Sequence, residues 1–437
     1  MNDQTLTRSP LAWIERLWSS IADRGRPYAD VPAASVDPLE RARQLAAALL
    51  SGRGEASGAA LARELLRVLR GLSAAERLEF CRHVSTHFLP DPAALHEAAS
   101  AYLAEPSPAN VARLSEIAEP PRQELLRRIN QGQGGTAALV ALRKELLAAL
   151  RTTPDLAALD SDLRHLFASW FNRGFLELRR IDWNTPAAVL EKLIVYEAVH
   201  EIDGWSDLRR RLAADRRCFA FFHPALPGEP LIFVEVALVK GLADAVQPLL
   251  APDTDEPAQR ARAASADTAI FYSISNCQDG LRGISFGNFL IKQVVEELKA
   301  ELPQITRFAT LSPVPGFRRW LAKQENAPEL PDEVPTDSRR DELMMLCARY
   351  LTESAADPVA RFHLGNGARL ERINWRGNIA PRGLAESAGI MVNYLYDPDS
   401  IEANHEAFAR AGTVARAPGV DALIAPAPIA ARPRGRG

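Results

Sequence analysis

Residues Thr268 to Ala300, TAIFYSISNCQDGLRGISFGNFLIKQVVEELKA, put three local patterns in immediate succession and so leave few folds open. Thr268 to Ser275 is aromatic and β-branched, as a buried strand is, while Phe286, Phe289, Leu290, Val294 and Leu298 fall on one helical face. Between them runs Asn276-Cys-Gln-Asp-Gly-Leu-Arg-Gly-Ile-Ser-Phe-Gly287, with glycines at 280, 283 and 287. Glycines let the backbone come close to a ligand, and the free N–H groups and positive dipole end of the following helix favour an anion. The unit therefore reads as an anion site where a helix leaves a sheet.

What precedes it is different in kind. The first 170 or so residues carry apolar stripes at helical spacing, among them Leu11, Ile14, Leu17, Trp18 and Ile21, then Leu61, Leu65, Leu69 and Leu72, then Leu139, Leu142, Leu146 and Leu150. Ser73-Ala-Ala-Glu76 is a capping box, and Glu105-Pro-Ser-Pro108 and Gln131-Gly-Gln-Gly-Gly135 are turn signals between helices. This half is expected to be an all-helical bundle. Its histidines, 83, 87, 96 and 165, stand singly, with no carboxylate or cysteine at ligand spacing.

After Trp170 the composition shifts. Arg217 to His223, Leu231 to Leu238, Thr268 to Ser275 and Thr306 to Leu311 read as strands with helices interleaved, and Pro227-Gly-Glu-Pro230 as a turn joining the first two. The expected fold class is α+β, a helical bundle followed by a mixed sheet flanked by helices. The domains are placed at 1–170 and 171–415, with 416–437, rich in proline, alanine and arginine, as a flexible tail. Ala251 to Ala266 and Glu325 to Arg340 read as loops.

At 437 residues the chain is long enough for two sizeable cores, and a net charge of −3 gives no sign of a nucleic-acid binder. Cysteines at 81, 218, 277 and 347 are far apart and form no CxxC pair, which suits a reducing cytosol. With no apolar leader, no run of eighteen apolar residues and no Ser-Lys-Leu ending, the expectation is a cytoplasmic protein without a membrane partner.

Gly283-Ile-Ser-Phe-Gly287 matches the nucleophile-elbow pattern G-x-S-x-G, but the polar loop Asn276 to Arg282 separates it from its strand and the early strands of a hydrolase are missing. A P-loop is excluded because no Gly-Lys-Ser/Thr follows, and the dinucleotide fingerprint is not met. The loop instead resembles the pyrophosphate loop of the GNAT acetyltransferase superfamily, Arg/Gln-x-x-Gly-x-Gly/Ala before a helix, laid on Arg282 to Ile291. Two further stretches extend the likeness. Thr310-Leu-Ser-Pro-Val-Pro-Gly-Phe317 holds Ser312 in a turn stiffened by two prolines, and Phe362-His-Leu-Gly-Asn-Gly-Ala368 sets a histidine and an amide where packing would not ask for them. With Trp183-Asn-Thr-Pro186, Glu197-Ala-Val-His200, Arg372-Ile-Asn-Trp375 and Gly389-Ile-Met-Val-Asn-Tyr-Leu-Tyr396, these segments resemble the malonyl-CoA decarboxylase family over roughly Phe171 to Tyr396.

That resemblance implies a GNAT-like catalytic domain behind a helical oligomerisation domain, converting malonyl-CoA to acetyl-CoA and carbon dioxide. It puts the catalytic pair on Ser312 and His363 and the coenzyme on Arg282, Gly283, Ile284, Ser285, Phe286, Gly287 and Asn288, with Ser273 and Tyr396 as further pocket residues. The family often has an acidic residue where this chain has Ser285, so a role for that carboxylate does not carry over. The chemistry suits these residue types. Loss of carbon dioxide sends electrons into the thioester carbonyl, whose oxygen needs preorganised donors worth about 3 kcal/mol each. Backbone N–H groups or the Asn366 amide could supply them. Carbon 2 must then gain a proton, for which a histidine titrating near neutrality is the natural acid, and Ser312 would orient the malonyl carboxylate. No metal or organic cofactor is expected, because the thioester is the electron sink. An acyl-CoA N-acyltransferase, sharing the coenzyme loop, is the competing class, and a non-catalytic malonyl-CoA sensor a third. Cys277 reads as a small packing residue.

Overall fold

The computed structural model describes residues 10–29, 37–51, 54–284, 290–325, 330, 333–353 and 357–424. It divides into two compact units. The described parts of Met1–Glu177, Phe222–Glu229 and Gln278–Phe286 form the first, and those of Leu178–Phe221, Pro230–Cys277 and Gly287–Gly437 the second.

The first unit is helical because its sequence is punctuated for helices. Asp37 accepts from the Glu40 N–H ahead of Pro38, Ser73 and Glu76 form the expected reciprocal capping box, and Asp91 and Ser107 each cap a helix that begins with proline. Leu61, Leu65, Leu69 and Leu72 are buried together, as are Leu139, Leu142 and Leu146. The turn signals fall where one helix ends and the next begins, at Ala104 before Pro108 and at Gln131 before Gly135.

The second unit is built on an eight-stranded mixed sheet: β1 (Glu177–Ile181), β2 (Arg216–Phe222), β3 (Pro230–Val239), β4 (Thr268–Asn276), β5 (Arg307–Thr310), β6 (Ser312–Pro313), β7 (Arg369–Asn374) and β8 (Met391–Leu395). The order is β1-β2-β3-β4-β5-β8-β6, with β7 also on β8. β3 and β4 are antiparallel, β4 and β5 parallel, and β8 runs against β5, β6 and β7. A parallel pair needs a crossover, here helix Leu290–Glu301, which buries Leu290, Ile291, Val294, Val295 and Leu298. A helical region followed by a mixed sheet flanked by helices is thus the architecture.

Two features of the sheet matter for the site. Ala309 pairs with Leu395, Ser312 with Val392 and Pro313 with Met391, one unbroken register, so β6 continues the line of β5 along β8. Residues two apart on that line, Thr310 and Ser312, share a face. On β4, Ser273 faces Glu235 while Phe271 faces Val236, which leaves Tyr272 as the extra residue of a β-bulge.

Two expectations are corrected. Ala251 to Ala266 contains a helix, Glu256–Ser265, started by Asp255 accepting from Ala258 N–H and by proline in its first turn. Residues 416–424, expected to fray, are held: Ala415 O accepts from Leu370 N–H, Ala417 N–H donates to Leu370 O, and helix Pro418–Ile424 buries Val420. Proline and alanine content alone had suggested a tail; the β-bridge between Leu370 and Arg416 supplies the tether.

Candidate active site

Ser312 and His363, 51 residues apart in sequence, meet in the second unit. His363 lies in the last turn of helix Pro358–Gly365. Asp357 caps that helix, accepting from Val359 and Ala360 N–H at 2.9 and 3.1 Å, and its other oxygen accepts from Gly316 N–H at 3.1 Å and Tyr350 O–H at 3.3 Å. One buried carboxylate thereby joins the helix of His363 to the Ser-Pro-Val-Pro-Gly turn after Ser312. Burial raises its pKa, opposed by those backbone donors.

The ring of His363 has a partner at each nitrogen: Nε2 lies 3.0 Å from Ser312 Oγ and Nδ1 lies 2.8 Å from Tyr396 Oη. Its face stacks on Tyr394, centroids 4.7 Å apart and planes 25° from parallel. Tyr394 and Tyr396 are two apart at the end of β8, so both side chains reach the same side. Ser312 in turn donates to Thr310 Oγ1 at 2.8 Å, which also accepts from Tyr394 N–H at 3.2 Å. No charged side chain belongs to this set, and His363 is 2% exposed. Burial lowers its pKa to about 3. The expected titration near neutrality is therefore corrected: an imidazolium here would lose its hydration with no carboxylate to replace it, so the free protein holds the ring neutral.

Of the other residues singled out, Tyr396 is in this set, and Asn366, in the same segment as His363, turns its amide back to Phe362 O at 2.6 Å. Ser273 belongs to a second buried network. Its hydroxyl donates to both oxygens of Glu197, at 2.7 and 2.9 Å, and Glu197 also accepts from Ser275 O–H and from Val199 and His200 N–H. Glu235 and Arg211, both buried, form an ion pair of 2.7 Å nearby, and Arg211 donates to His200 O. Cys277 is buried and in no disulfide, with its thiol toward Ser275 O at 3.8 Å.

The glycine loop is described as far as Ile284; Ser285, Phe286, Gly287 and Asn288 lie outside the described residues. Its glycines do different work. A Cβ on Gly280 would sit 1.9 Å from Val140 O, so this glycine serves close packing on helix Gly135–Ala149. Gly283 has φ +79° with open space around its Cα, a backbone only glycine adopts freely. Arg143, 1% exposed, donates to the carbonyls of Gly280 and Arg282 at 2.8 and 3.0 Å and holds the loop's path. The Arg282 side chain itself is exposed and paired with Asp279 at 3.3 Å.

Thr310, Asp357, Glu197 and Arg143 received no role from sequence. Thr310 and Ser312 could have been linked by strand alternation; Arg143, 137 residues from Gly280, left no local sign.

These contacts can be set beside known proteins. The family model described as malonyl-CoA decarboxylase C-terminal domain matches residues 174–341 and 332–432, and that of the N-terminal domain matches 88–171. The chain is 38% identical over 336 residues to the mitochondrial malonyl-CoA decarboxylase of Anser anser anser, the match covering 66% of each, and 37% identical to that of Mus musculus, covering 65% of this chain and 67% of the relative. Among solved structures it is similar to malonyl-CoA decarboxylase from Rhodopseudomonas palustris, 48% identical with a TM-score of 0.80 over 87% of this chain and 98% of that one. The Agrobacterium vitis structure is 50% identical with a TM-score of 0.80, over 88% of this chain and all of its own. With Ser312 and His363 in contact and family models matching both halves, the chain belongs to the malonyl-CoA decarboxylase family.

Proposed function

We propose that the chain decarboxylates malonyl-CoA to acetyl-CoA and carbon dioxide at Ser312 and His363. The observation that carries this is the hydroxyl–imidazole–hydroxyl chain from Ser312 through His363 to Tyr396, buried and free of charged side chains. A poorly hydrated site disfavours the malonyl carboxylate relative to carbon dioxide and a delocalised enolate, which is the direction of the reaction. The C–C electron pair moves into the thioester carbonyl as carbon dioxide leaves. The Ser312 hydroxyl orients the carboxylate. His363 then gives its Nε2 proton to carbon 2, Tyr396 passes its hydroxyl proton to Nδ1, and a proton from water restores the set. A thioester enolate is a far stronger base than a phenolate or a neutral imidazole, so the neutral ring suffices as the acid.

Backbone N–H groups, with Asn366 close to His363 in sequence, serve the enolate oxygen, and Ser273 lines the acyl end of the pocket with its hydroxyl aimed by Glu197. Arg282, Gly283 and Ile284, continuing into Ser285, Phe286, Gly287 and Asn288, hold the coenzyme diphosphate, Arg282 offering an exposed guanidinium to it. Residues 1–170 act as an oligomerisation domain, and the catalytic domain runs from 171 through the tethered residues 416–424. Four buried cysteines, none of them in a disulfide, agree with a cytoplasmic setting, and no helix among the described residues is long and apolar enough to cross a membrane.

Carbon dioxide and acetyl-CoA formed from malonyl-CoA alone, with no acyl acceptor present, are the expected products. Release of free thiol only when an amine acceptor is added would point to an N-acyltransferase, and tight malonyl-CoA binding without any turnover to a sensor.

A further inference from the structure

The hydrogen positions in the buried chain follow from counting donors. A seryl hydroxyl has one proton, and that of Ser312 is directed at Thr310 Oγ1, 2.8 Å away. Thr310 Oγ1 takes a second hydrogen bond from Tyr394 N–H, so both of its lone pairs are occupied and its position is fixed from the strand backbone. At the 3.0 Å contact with His363 the Ser312 oxygen can then only accept, and Nε2 must be the donor. A neutral imidazole carries one N–H, so Nδ1 has a free lone pair and accepts from Tyr396 O–H at 2.8 Å.

From this chain of contacts we propose that Thr310 is a positioning residue that sets the tautomer of His363: by taking the Ser312 proton it keeps the ring proton on Nε2, the nitrogen facing Ser312. Without the Thr310 acceptor, the Ser312 hydroxyl turns to Nε2, the ring proton moves to Nδ1, and the side facing the reaction has no proton to give. In the reading above this is also how Ser312 becomes free to serve the substrate: when the malonyl carboxylate arrives, the Ser312 proton swings from Thr310 to the carboxylate oxygen. Its acceptor lone pair stays on His363 until the proton leaves for carbon 2. Thr310 itself touches neither substrate nor the reacting carbon. Its geometry explains why a threonine stands at this strand position, since valine would fill the same volume but offer no acceptor. The proposal rests on the decarboxylase reading for its catalytic consequence and on the hydrogen-bond network alone for the tautomer.

The test uses the full chain with ¹⁵N-labelled histidine, with the His363 signals assigned by their loss in His363→Gln. In the wild type the ring should show a protonated Nε2 and an unprotonated, hydrogen-bonded Nδ1 at neutral pH. In Thr310→Val the pattern should invert, and kcat for carbon dioxide release should fall roughly 100-fold, the lower range for loss of a general acid, with KM changed less than about threefold. Thr310→Ser, which keeps the acceptor, should restore both the tautomer and the rate. A wild-type ring protonated at Nδ1 overturns the proposal before any variant is made, and so does a Thr310→Val protein that keeps Nε2–H, or a Thr310→Ser protein as slow as the valine variant. If the wild type shows the expected tautomer but releases no carbon dioxide, the decarboxylase reading fails and the tautomer assignment stands.

Discussion

His363 and His200 are both buried in the second unit and both held neutral, yet they sit in networks of opposite character. Around His363 every hydrogen-bond partner is a hydroxyl, and burial alone lowers its pKa to about 3. Around His200, burial and then the positive Arg211 lower it to about 4, and the neighbourhood is ionic: Arg211 pairs with Glu235, and Glu197 collects two serine hydroxyls and two backbone N–H groups. Burial raises the pKa of the Glu235 carboxyl, and the Arg211 guanidinium 2.7 Å away opposes that rise and favours the carboxylate. A chain of neutral hydroxyls and imidazole can hand a proton on by exchanging hydrogen-bond partners, with no ion held in the resting site, whereas fixed ions hold the surrounding backbone in place and resist any such transfer. The first network is equipped for chemistry and the second for support.

The largest effect should come from breaking the neutral network at its centre. His363→Ala is expected to lower kcat for carbon dioxide release by about 10²- to 10⁴-fold, the range for a general acid, while coenzyme A affinity, measured by calorimetry, stays within about threefold. A variant that kept most of its rate would move the acid to another residue, and one that lost coenzyme affinity in step would make the histidine a binding group.

Breaking the ionic network should read out in stability instead. Arg211→Met leaves Glu235 as a buried charge without its partner and should cost about 3–5 kcal/mol in chemical denaturation, whereas Arg211→Met with Glu235→Leu, which removes both charges, should recover most of that loss. A double variant as unstable as the single one would mean that the ions do more than neutralise each other.

Both histidines bear on acid stability, with a sign that follows from their depressed pKa values. The unfolded chain protonates each near 6.5, while the folded protein resists until about 4 for His200 and about 3 for His363. Between those limits the unfolded state binds more protons, so stability falls as pH drops below 6.5, by roughly 1.4 kcal/mol per unit per histidine. At pH 5 each should cost about 2 kcal/mol relative to neutrality. His363→Gln should remove one share of that slope in a denaturation series from pH 7 to 5; an unchanged slope would show that His363 is not titrating with folding.

These networks also show what could be read along the chain and what could not. β2, β3, β4 and β5 announce themselves by aromatic and β-branched runs, and the helices of the first unit by their caps and prolines. β1 (ELRRI) carries charges at three of five positions and β7 (RLERIN) at three of six, and β6 has two residues, so none has a local signal; each exists because a neighbouring strand offers its backbone. Resemblance pointed to Ser312, His363, Tyr396 and Ser273, but a linear pattern has no register. That Thr310 lies beside Ser312, or that Ser273 turns to Glu197, depends on strand alternation, a bulge at Tyr272 and a contact across 76 residues. The acidity of His363 is illegible for the same reason, since burial sets it and a sequence does not display burial.

Ser273 is where the two networks can be told apart at the smallest scale. It sits two residues past Phe271, which pairs with Thr310 across the parallel strands, yet its hydroxyl is committed to Glu197. If it lines the acyl pocket, Ser273→Ala removes one polar contact to substrate and should raise KM for malonyl-CoA about fivefold, the equivalent of ~1 kcal/mol, with kcat little changed. Glu197 keeps Ser275 and two backbone donors in that variant, so the fold should lose no more than about 1 kcal/mol. Glu197→Gln should then raise KM in the same direction, because an amide no longer holds the Ser273 hydroxyl as a carboxylate does. If Ser273→Ala instead lowers stability and leaves KM where it was, the serine belongs to the supporting network alone, and the pocket's acyl end is formed without it.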